Sequence, residues 1–107
     1  NLQKLGKRFL GLSDFYELPL MYVWGHSYEF GNSGDWGVIE AFVDKMAGRE
    51  EIWYASNMEI YTYLQAVRGQ EFSADGNTIH NPFAVSVWVC APDGVVEVKP
   101  DMTLHFQ

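Results

Sequence analysis

The sequence has little cysteine, few basic residues and no long apolar run, and each shortage excludes a class of protein. Cys90 is the only cysteine in 107 residues, so no disulfide can form within the chain and packing alone must hold the fold. Seven basic residues stand against fourteen acidic ones, for a net charge of −7, which disfavours nucleic acid as a partner. No apolar run approaches the ~20 residues that a membrane helix needs, so a membrane is not an expected partner.

The start of the chain shows no secretory signal peptide, because it has neither an apolar central region nor a small-residue cleavage site. This favours a cytoplasmic location. The chain does not begin with Met, which predicts that it is a processed product or a part of something longer. Its composition, 48% hydrophobic and 16% aromatic, predicts a packed globular core.

Apolar residues at helical spacing predict three helices, at about 2–12, 35–47 and 56–69. Gly11, Gly48 and Gly69 are the expected helix ends, and residues 14–18 are predicted to form a loop before Pro19. Ser56 and Glu59 have the S-x-x-E spacing of a capping box. The side chains predicted to point inward are Trp36, Ile39, Phe42, Val43 and Met46 in the second helix, and Ile60, Tyr63, Leu64 and Val67 in the third.

Two apolar segments, 20–30 and 51–55, have the pattern of strands that are covered on both faces, as in a parallel α/β sheet. Together with the helices that follow them, they predict one and a half right-handed parallel units. Strand alternation in the first segment would place Tyr22, Trp24, His26 and Tyr28 on one face.

After Gly69 the sequence changes to short strand candidates separated by turn residues, at 71–73, 78–81, 84–90, 95–99 and 102–106. Asp75-Gly76 and Asp93-Gly94 are hairpin signals. The predicted fold class is therefore α/β (α+β overall), with parallel strands over 1–69 and an antiparallel β appendage over 70–107.

His26 is the main candidate for chemistry, because it lies at the carboxyl end of the predicted strand, where α/β folds place reactive groups. Gly25 leaves space beside it, and Tyr28 and Glu29 could hydrogen-bond its ring and fix its tautomer. A structural role for this histidine remains open. A Ser–His–Asp arrangement, with Ser27, Ser33 or Ser56 as the nucleophile and Asp35 as the orienting residue, is a further alternative, although no G-x-S-x-G motif supports it.

The aromatic residues also have two interpretations. Rings with polar tips suit stacking on sugars, whereas most of these rings fall at core positions of the predicted helices and strands. Core packing is the expected role for the set, with Trp24 as the exception because it is near His26. The set comprises Tyr22, Trp24, Tyr28, Trp36, Trp53, Tyr54, Tyr61 and Tyr63.

Several segments together resemble one bacterial family. These are YVWGHSYEF at 22–30, the stretch 36–42, EIWYASNMEIY at 51–61, FSADG at 72–76 and Asn81-Pro82. They are similar to the C-terminal portion of the catalytic domain, with a β tail, of polysaccharide deacetylases of the NodB-like type. The first motif is the most specific of the set.

The resemblance implies a distorted (β/α) barrel and a hydrolase that removes N- or O-acetyl groups from carbohydrates with a divalent, zinc-like metal. Carried over by position, His26 would be the general acid. Trp24 and Tyr28 would contact the carbohydrate substrate, with Trp24 lining the acetate pocket. Glu29 as a support for His26 is our own inference and not part of the family pattern.

The family's Asp-Asp pair and its H-x-x-x-H metal pair have no counterpart here. We therefore expect no metal or other cofactor bound by this chain alone, and a fragment that is inactive by itself. Two barrel strands without neighbours would leave open sheet edges, which predicts self-association. The alternative function is a non-catalytic carbohydrate-binding or assembly module.

Overall fold

The protein is represented by a computed structural model that describes residues 1–12, 18–34 and 36–107. Within these residues the α-helices are α1 (Leu2–Leu10), α2 (Ser27–Ser33), α3 (Trp36–Met46) and α4 (Asn57–Arg68). The strands are β1 (Glu71–Phe72), β2 (Thr78–His80), β3 (Val87–Ala91), β4 (Gly94–Val98) and β5 (Thr103–His105). The chain divides into two compact units, Asn1–Ile52 and Trp53–Gln107.

Helix α1 in the first unit follows the sequence prediction. The Asn1 side chain accepts hydrogen bonds from the backbone amides of Gln3 and Lys4, and Gly11 closes the helix. Gly6, which weakens helix propensity, is buried against α3: a Cβ at this position would lie 3.1 Å from the ring of Phe42. Glycine therefore allows the two helices to approach closely.

Helix α3 ends at Met46, and Gly48 has a φ of +68°, which confirms it as the left-handed residue after the helix. The predicted start at Asp35 lies outside the described residues. Phe42 and Met46 are buried, as predicted, but Trp36 and Val43 are 49% and 51% exposed. The inward prediction is wrong for these two because α1 packs on the face of α3 that carries Phe42 and Met46, where Gly6 approaches both side chains.

The predicted parallel strands do not form, and the barrel segment is a wrong prediction. Residues 20–26 have no regular structure, and the polar end of that segment begins α2 instead. Residues 52–55 are also irregular, after a turn in which the Ile52 amide donates to the Arg49 carbonyl. All strand pairing among the described residues is antiparallel.

The reason is that strand propensity depends on a neighbouring strand. An apolar run becomes a strand only when another strand satisfies its backbone groups. No strand is described before Glu71, so the segment at 20–26 has no partner within the first unit. Most of the loop predicted at 14–18 lies outside the described residues.

The second unit contains α4 and both sheets, and its α+β character agrees with the sequence prediction. One sheet has the order β1-β2-β5 and the other is the β3-β4 hairpin. Both predicted turns form: Gly76 has a φ of +75° between β1 and β2, and Gly94 a φ of +131° after the Pro92-Asp93 turn. The core of this unit is a cluster of fully buried residues, Ala66, Ile79, Val87 and Val98.

Helix α4 begins and ends as predicted. The Ser56 hydroxyl accepts a hydrogen bond from the Glu59 amide at 3.2 Å, and the Gly69 amide donates to the Gln65 carbonyl. Ala66 is the buried residue of this helix, whereas Leu64 and Val67 are 41% and 42% exposed, contrary to the prediction. Of the described helices, none is long and apolar enough to cross a membrane.

Candidate functional site

An open groove of about 220 Å³ lies in the first unit, where the irregular segment turns into α2. Two residues of α2, one residue of α3 and the segment before α2 contribute to it. The groove is lined by Val23, Trp24, Gly25, His26, Ser27, Phe30 and Ile39. The structure therefore places His26 at a concave, mostly apolar surface that is open to solvent.

His26 is the residue immediately before α2, and its backbone is extended with φ −113° and ψ 137°. The Glu29 amide donates to the His26 carbonyl at 3.0 Å, which closes the first helical turn. That turn brings the Glu29 carboxylate to the imidazole, with Glu29 Oε1 2.8 Å from His26 Nδ1. The two side chains are 54% and 55% exposed, so substrate can reach the pair.

Two aromatic rings flank this imidazole. Tyr28 stacks on it, with ring centroids 5.0 Å apart and an interplanar angle of 17°. Trp24 meets it at right angles, with centroids 6.3 Å apart and an angle of 82°. Trp24 is 77% exposed and Tyr28 is 61% exposed, so both rings also present a surface to solvent.

The structure thus brings together all four residues singled out from the sequence: His26, Trp24, Tyr28 and Glu29. The local structure that does so is a loop and a helical turn, where the prediction was a strand. Glu29 reaches the ring as expected, whereas Tyr28 contacts it by stacking. The site has an ionisable imidazole held by a carboxylate beside apolar side chains, which suits proton transfer to a bound substrate.

The serine alternative finds no support in the described side chains. The hydrogen bond that the structure gives the His26 ring is to Glu29, and no described serine hydroxyl bonds to it. The Ser56 hydroxyl is used as the cap of α4. Asp35, the proposed orienting residue, lies outside the described residues.

Metal ligands do not converge in the part of the chain that the structure describes, since no group of three His, Cys, Asp or Glu side chains could hold an ion. His105 Nδ1 lies 2.7 Å from the Thr78 hydroxyl. His80 lies between two carboxylates, 3.0 Å from Asp101 and 3.3 Å from Glu71. These contacts, with Asp101 the larger influence, raise the pKa of His80 above its ordinary value.

A row of aromatic rings in the second unit was not predicted as a surface feature. Tyr63 of α4 lies between Trp53 and Trp88, with ring centroids 5.7 Å and 6.3 Å away. The Trp88 amide donates to the Tyr63 hydroxyl at 3.3 Å, which ties β3 to α4. Trp53 and Trp88 are 60% and 51% exposed, so the expected core role is wrong for Trp53.

Most of the other rings in the predicted aromatic set are exposed as well. The rings that are at least half exposed are Tyr22, Trp24, Tyr28, Trp53, Tyr54 and Tyr61. A ring at a helix or strand position is buried only when another element covers it. The exposure of these rings could therefore have been predicted only by knowing which helices and sheets pack against one another.

Comparison with protein-family models, with curated proteins and with solved structures finds no match to this chain.

Proposed function

We propose that the groove around His26 supplies the general acid for hydrolysis of acetyl groups on a carbohydrate, the activity that the resemblance of the sequence implies. The observation that carries the proposal is the exposed imidazole of His26, hydrogen-bonded to Glu29 and placed in an open groove between Trp24 and Tyr28. A general acid for deacetylation must be an ionisable group that the substrate can reach, and this arrangement provides one.

The groove supports each part of this role. A protonated imidazole can donate to the leaving oxygen or nitrogen when the acetyl group departs. Exposed faces of Trp24 and Tyr28 can stack on a pyranose ring. The apolar side chains of Phe30 and Ile39 suit the methyl group of an acetate.

The divalent metal that the resemblance implies would activate water and polarise the acetyl carbonyl when bound. The described residues do not fit such an ion, because they bring no three ligands together. The described part of this chain would therefore supply the proton transfer and the sugar contacts.

The test is acetate release from N-acetylated chito-oligosaccharides and from acetylated xylan, by the full-length gene product with added Zn²⁺ or Co²⁺. General acids contribute about 10²–10⁴-fold, so His26→Ala should lower kcat by that factor. His105→Ala is the matched control, because His105 is an exposed histidine on β5 and should leave the rate unchanged. Equal rates for His26→Ala and the wild type would refute the proposal.

The second candidate function is non-catalytic carbohydrate binding, and the row Trp53–Tyr63–Trp88 favours it. Inter-ring contacts hold these rings in place, so little side-chain freedom remains to be lost on binding. In a titration with the same oligosaccharides without metal, Trp53→Ala and Trp88→Ala should weaken binding several-fold. Tyr61→Ala removes a ring from α4 that is 57% exposed and is the control. Undiminished binding by both tryptophan variants would dismiss this function.

A further inference from the structure

We infer that Glu29 is a positioning residue that holds His26 in the tautomer with its proton on Nδ1, so that Nε2 is the atom that exchanges a proton with the substrate. The catalytic part of this inference rests on the proposed function. The tautomer does not, since it follows from the geometry of the pair alone.

The hydrogen bond fixes the direction of donation. An ionised carboxylate can only accept, so the imidazole must be the donor in the 2.8 Å contact between His26 Nδ1 and Glu29 Oε1. A neutral imidazole has one N–H, and the nitrogen that carries it is set by the hydrogen bond that the ring makes. A histidine side chain that is free in water favours the opposite tautomer, with the proton on Nε2. The carboxylate therefore reverses the intrinsic preference and leaves Nε2 with a free lone pair.

The ring orientation is fixed by contacts on more than one side. Tyr28 covers one face at 5.0 Å, and Trp24 meets the ring at 82°. The Glu29 amide donates to the His26 carbonyl at 3.0 Å, which holds the backbone of the two residues in one helical turn. The hydrogen bond that closes this turn therefore also places the Glu29 side chain beside the imidazole. No residue from a distant element is needed to orient the ring.

Two substitutions separate positioning from simple packing. Glu29→Ala removes the acceptor. Glu29→Gln keeps the size and can still accept from Nδ1–H, but its amide can instead donate to a bare Nδ1. Glutamine therefore allows both tautomers, and glutamate allows one. Glu29 is 55% exposed, so neither change is expected to unfold the chain.

The primary measurement is the ¹⁵N chemical shifts of the histidine rings, at a pH where the imidazoles are neutral. Wild-type protein should show the His26 proton on Nδ1, Glu29→Ala should show it mainly on Nε2, and Glu29→Gln should give a mixture. His105, which contacts Thr78, is the internal control and should not change among the variants. A wild-type spectrum with the proton on Nε2 overturns the inference, whatever the activity of the protein.

The kinetic measurement tests the catalytic part. Loss of a carboxylate that orients a metal-bound histidine typically costs about 10–100-fold, and we expect a loss of similar size here, so Glu29→Ala should lower kcat by that factor with little change in KM. An unchanged kcat, together with the expected change of tautomer, would overturn the positioning role. Failure of the proposed function is a different result, because there His26→Ala itself would retain full activity.

Discussion

At the scale of single residues, His80 is a histidine held between two carboxylates in the second unit. Its Nε2 lies 3.0 Å from Asp101 and its Nδ1 lies 3.3 Å from Glu71, so both ring nitrogens face carboxylates. Asp101 has a φ of +59°, a left-handed conformation that is uncommon for residues other than glycine. A hydrogen bond from the Asp101 amide to the Asn81 carbonyl supports that conformation.

This arrangement predicts a pH dependence of stability. Asp101 first and Glu71 second raise the pKa of His80 in the folded chain, so the folded state holds the imidazolium more tightly than the unfolded state does. The stabilisation is complete below the ordinary pKa of about 6.5 and is lost as pH rises through the raised folded value. Urea midpoints should therefore fall as the pH is raised from about 6 through and beyond the ordinary pKa of about 6.5.

Variants at the same contacts identify the residue responsible. His80→Gln should flatten this part of the pH profile, and Asp101→Asn should flatten it more than Glu71→Gln, because Asp101 has the larger influence. His26 and His105 remain in all three variants and control for other titrations. A profile that keeps its slope in His80→Gln would contradict the assignment.

Asn81 is the one polar residue that the structure describes as fully buried. Its Nδ2 donates to the carbonyls of Val85 and Val98, and its Oδ1 accepts from the Phe83 amide and from the Gln70 side chain. The side chain thus satisfies groups from the end of α4, from the approach to β3 and from β4. Such a saturated hub is costly to remove, because every partner is left unpaired.

Asn81→Ala should therefore destabilise the second unit strongly. Each buried polar group that is left without a hydrogen-bond partner costs about 1–3 kcal/mol. Because Asn81→Ala leaves several such groups, we expect the free energy of unfolding to fall by about 3 kcal/mol or more. Urea denaturation followed by circular dichroism measures it. Thr62→Ala, an exposed position on α4, is the control and should change stability by less than about 0.5 kcal/mol. Similar stabilities for the two variants would show that Asn81 is dispensable.

At the scale of elements, the sequence correctly predicted the helix ends and turns, which depend on a few adjacent residues. It did not predict which segments form strands, because that depends on the elements that pack beside them. The ends of α1, α3 and α4 and the turns at Gly76 and Gly94 follow from caps and glycine conformations, which are properties of a few adjacent residues. The segment at 20–30 failed because its strand character required a parallel partner. Its polar end carries the hydrogen-bonded pair His26–Glu29 at helical spacing, and that local signal was the stronger one.

The candidate site shows the same division. Trp24, His26, Tyr28 and Glu29 could be predicted as one site because they are close in sequence. Residues so close together come together in space whether the segment forms a helical turn or the end of a strand. The roles of His80 and Asn81 could not be found, because Asp101 and Val98 reach them from 21 and 17 residues away. The row Trp53–Tyr63–Trp88 likewise joins three separate segments.

The end of α4 packs closely against the segment before β3, where Gly69 meets Phe83. A Cβ at Gly69 would overlap the Phe83 ring, although the backbone there, with φ −93°, accepts any residue. Gly69→Ala should therefore cost about 1–3 kcal/mol by overpacking. In a Phe83→Ala background the same substitution should cost much less, because the overlapping ring is gone and only a tight contact of 3.2 Å with the Gln65 carbonyl oxygen remains.

Gly37 is the matched control in a helix. A Cβ there meets nothing within 4 Å, so Gly37→Ala should stabilise α3 by about 0.5–1 kcal/mol through helix propensity. Thermal unfolding of all four variants measures these differences. Equal effects of alanine at the two glycines would show that the close approach to Phe83 is not what requires Gly69.

At the scale of the whole molecule, burial is uneven between the two units. In the second unit Ala66, Ile79, Val87 and Val98 are at most 1% exposed. Among the described residues of the first unit, the most deeply buried apolar side chains are Phe42 and Met46, which are 8% and 7% exposed. Since local stability follows apolar burial, the second unit should be the more stable one.

Native-state hydrogen exchange of the whole chain tests this expectation. The amides of β2, β3 and β4 that are bonded within sheets should exchange slowest, and those of α1 and α3 should exchange faster by one or more orders of magnitude. The helical amides of α4 are the control for secondary structure type, because they belong to the second unit and should exchange slowly as well. Faster exchange in α4 than in α3 would contradict the order proposed.

Self-association through open sheet edges remains a prediction. Within the described residues, β1 and β5 are outer strands of one sheet, and both strands of the β3-β4 hairpin are edges. We expect concentration-dependent self-association, measured by light scattering, because such edges can pair with another chain. Val95→Lys places a charge on β4 where the native side chain is 66% exposed, and should weaken association. Val38→Lys on α3 is the control, and a monomer at every concentration would end this expectation.

The division at Ile52 and Trp53 falls in a stretch without helix or strand, and the buried cluster of the second unit draws no member from before it. A genetic crossover at that peptide bond would exchange the His26 groove as a whole and leave the hydrophobic cluster behind it intact. The junction is therefore a natural place to build chimaeras, in which the second unit is joined to different first units.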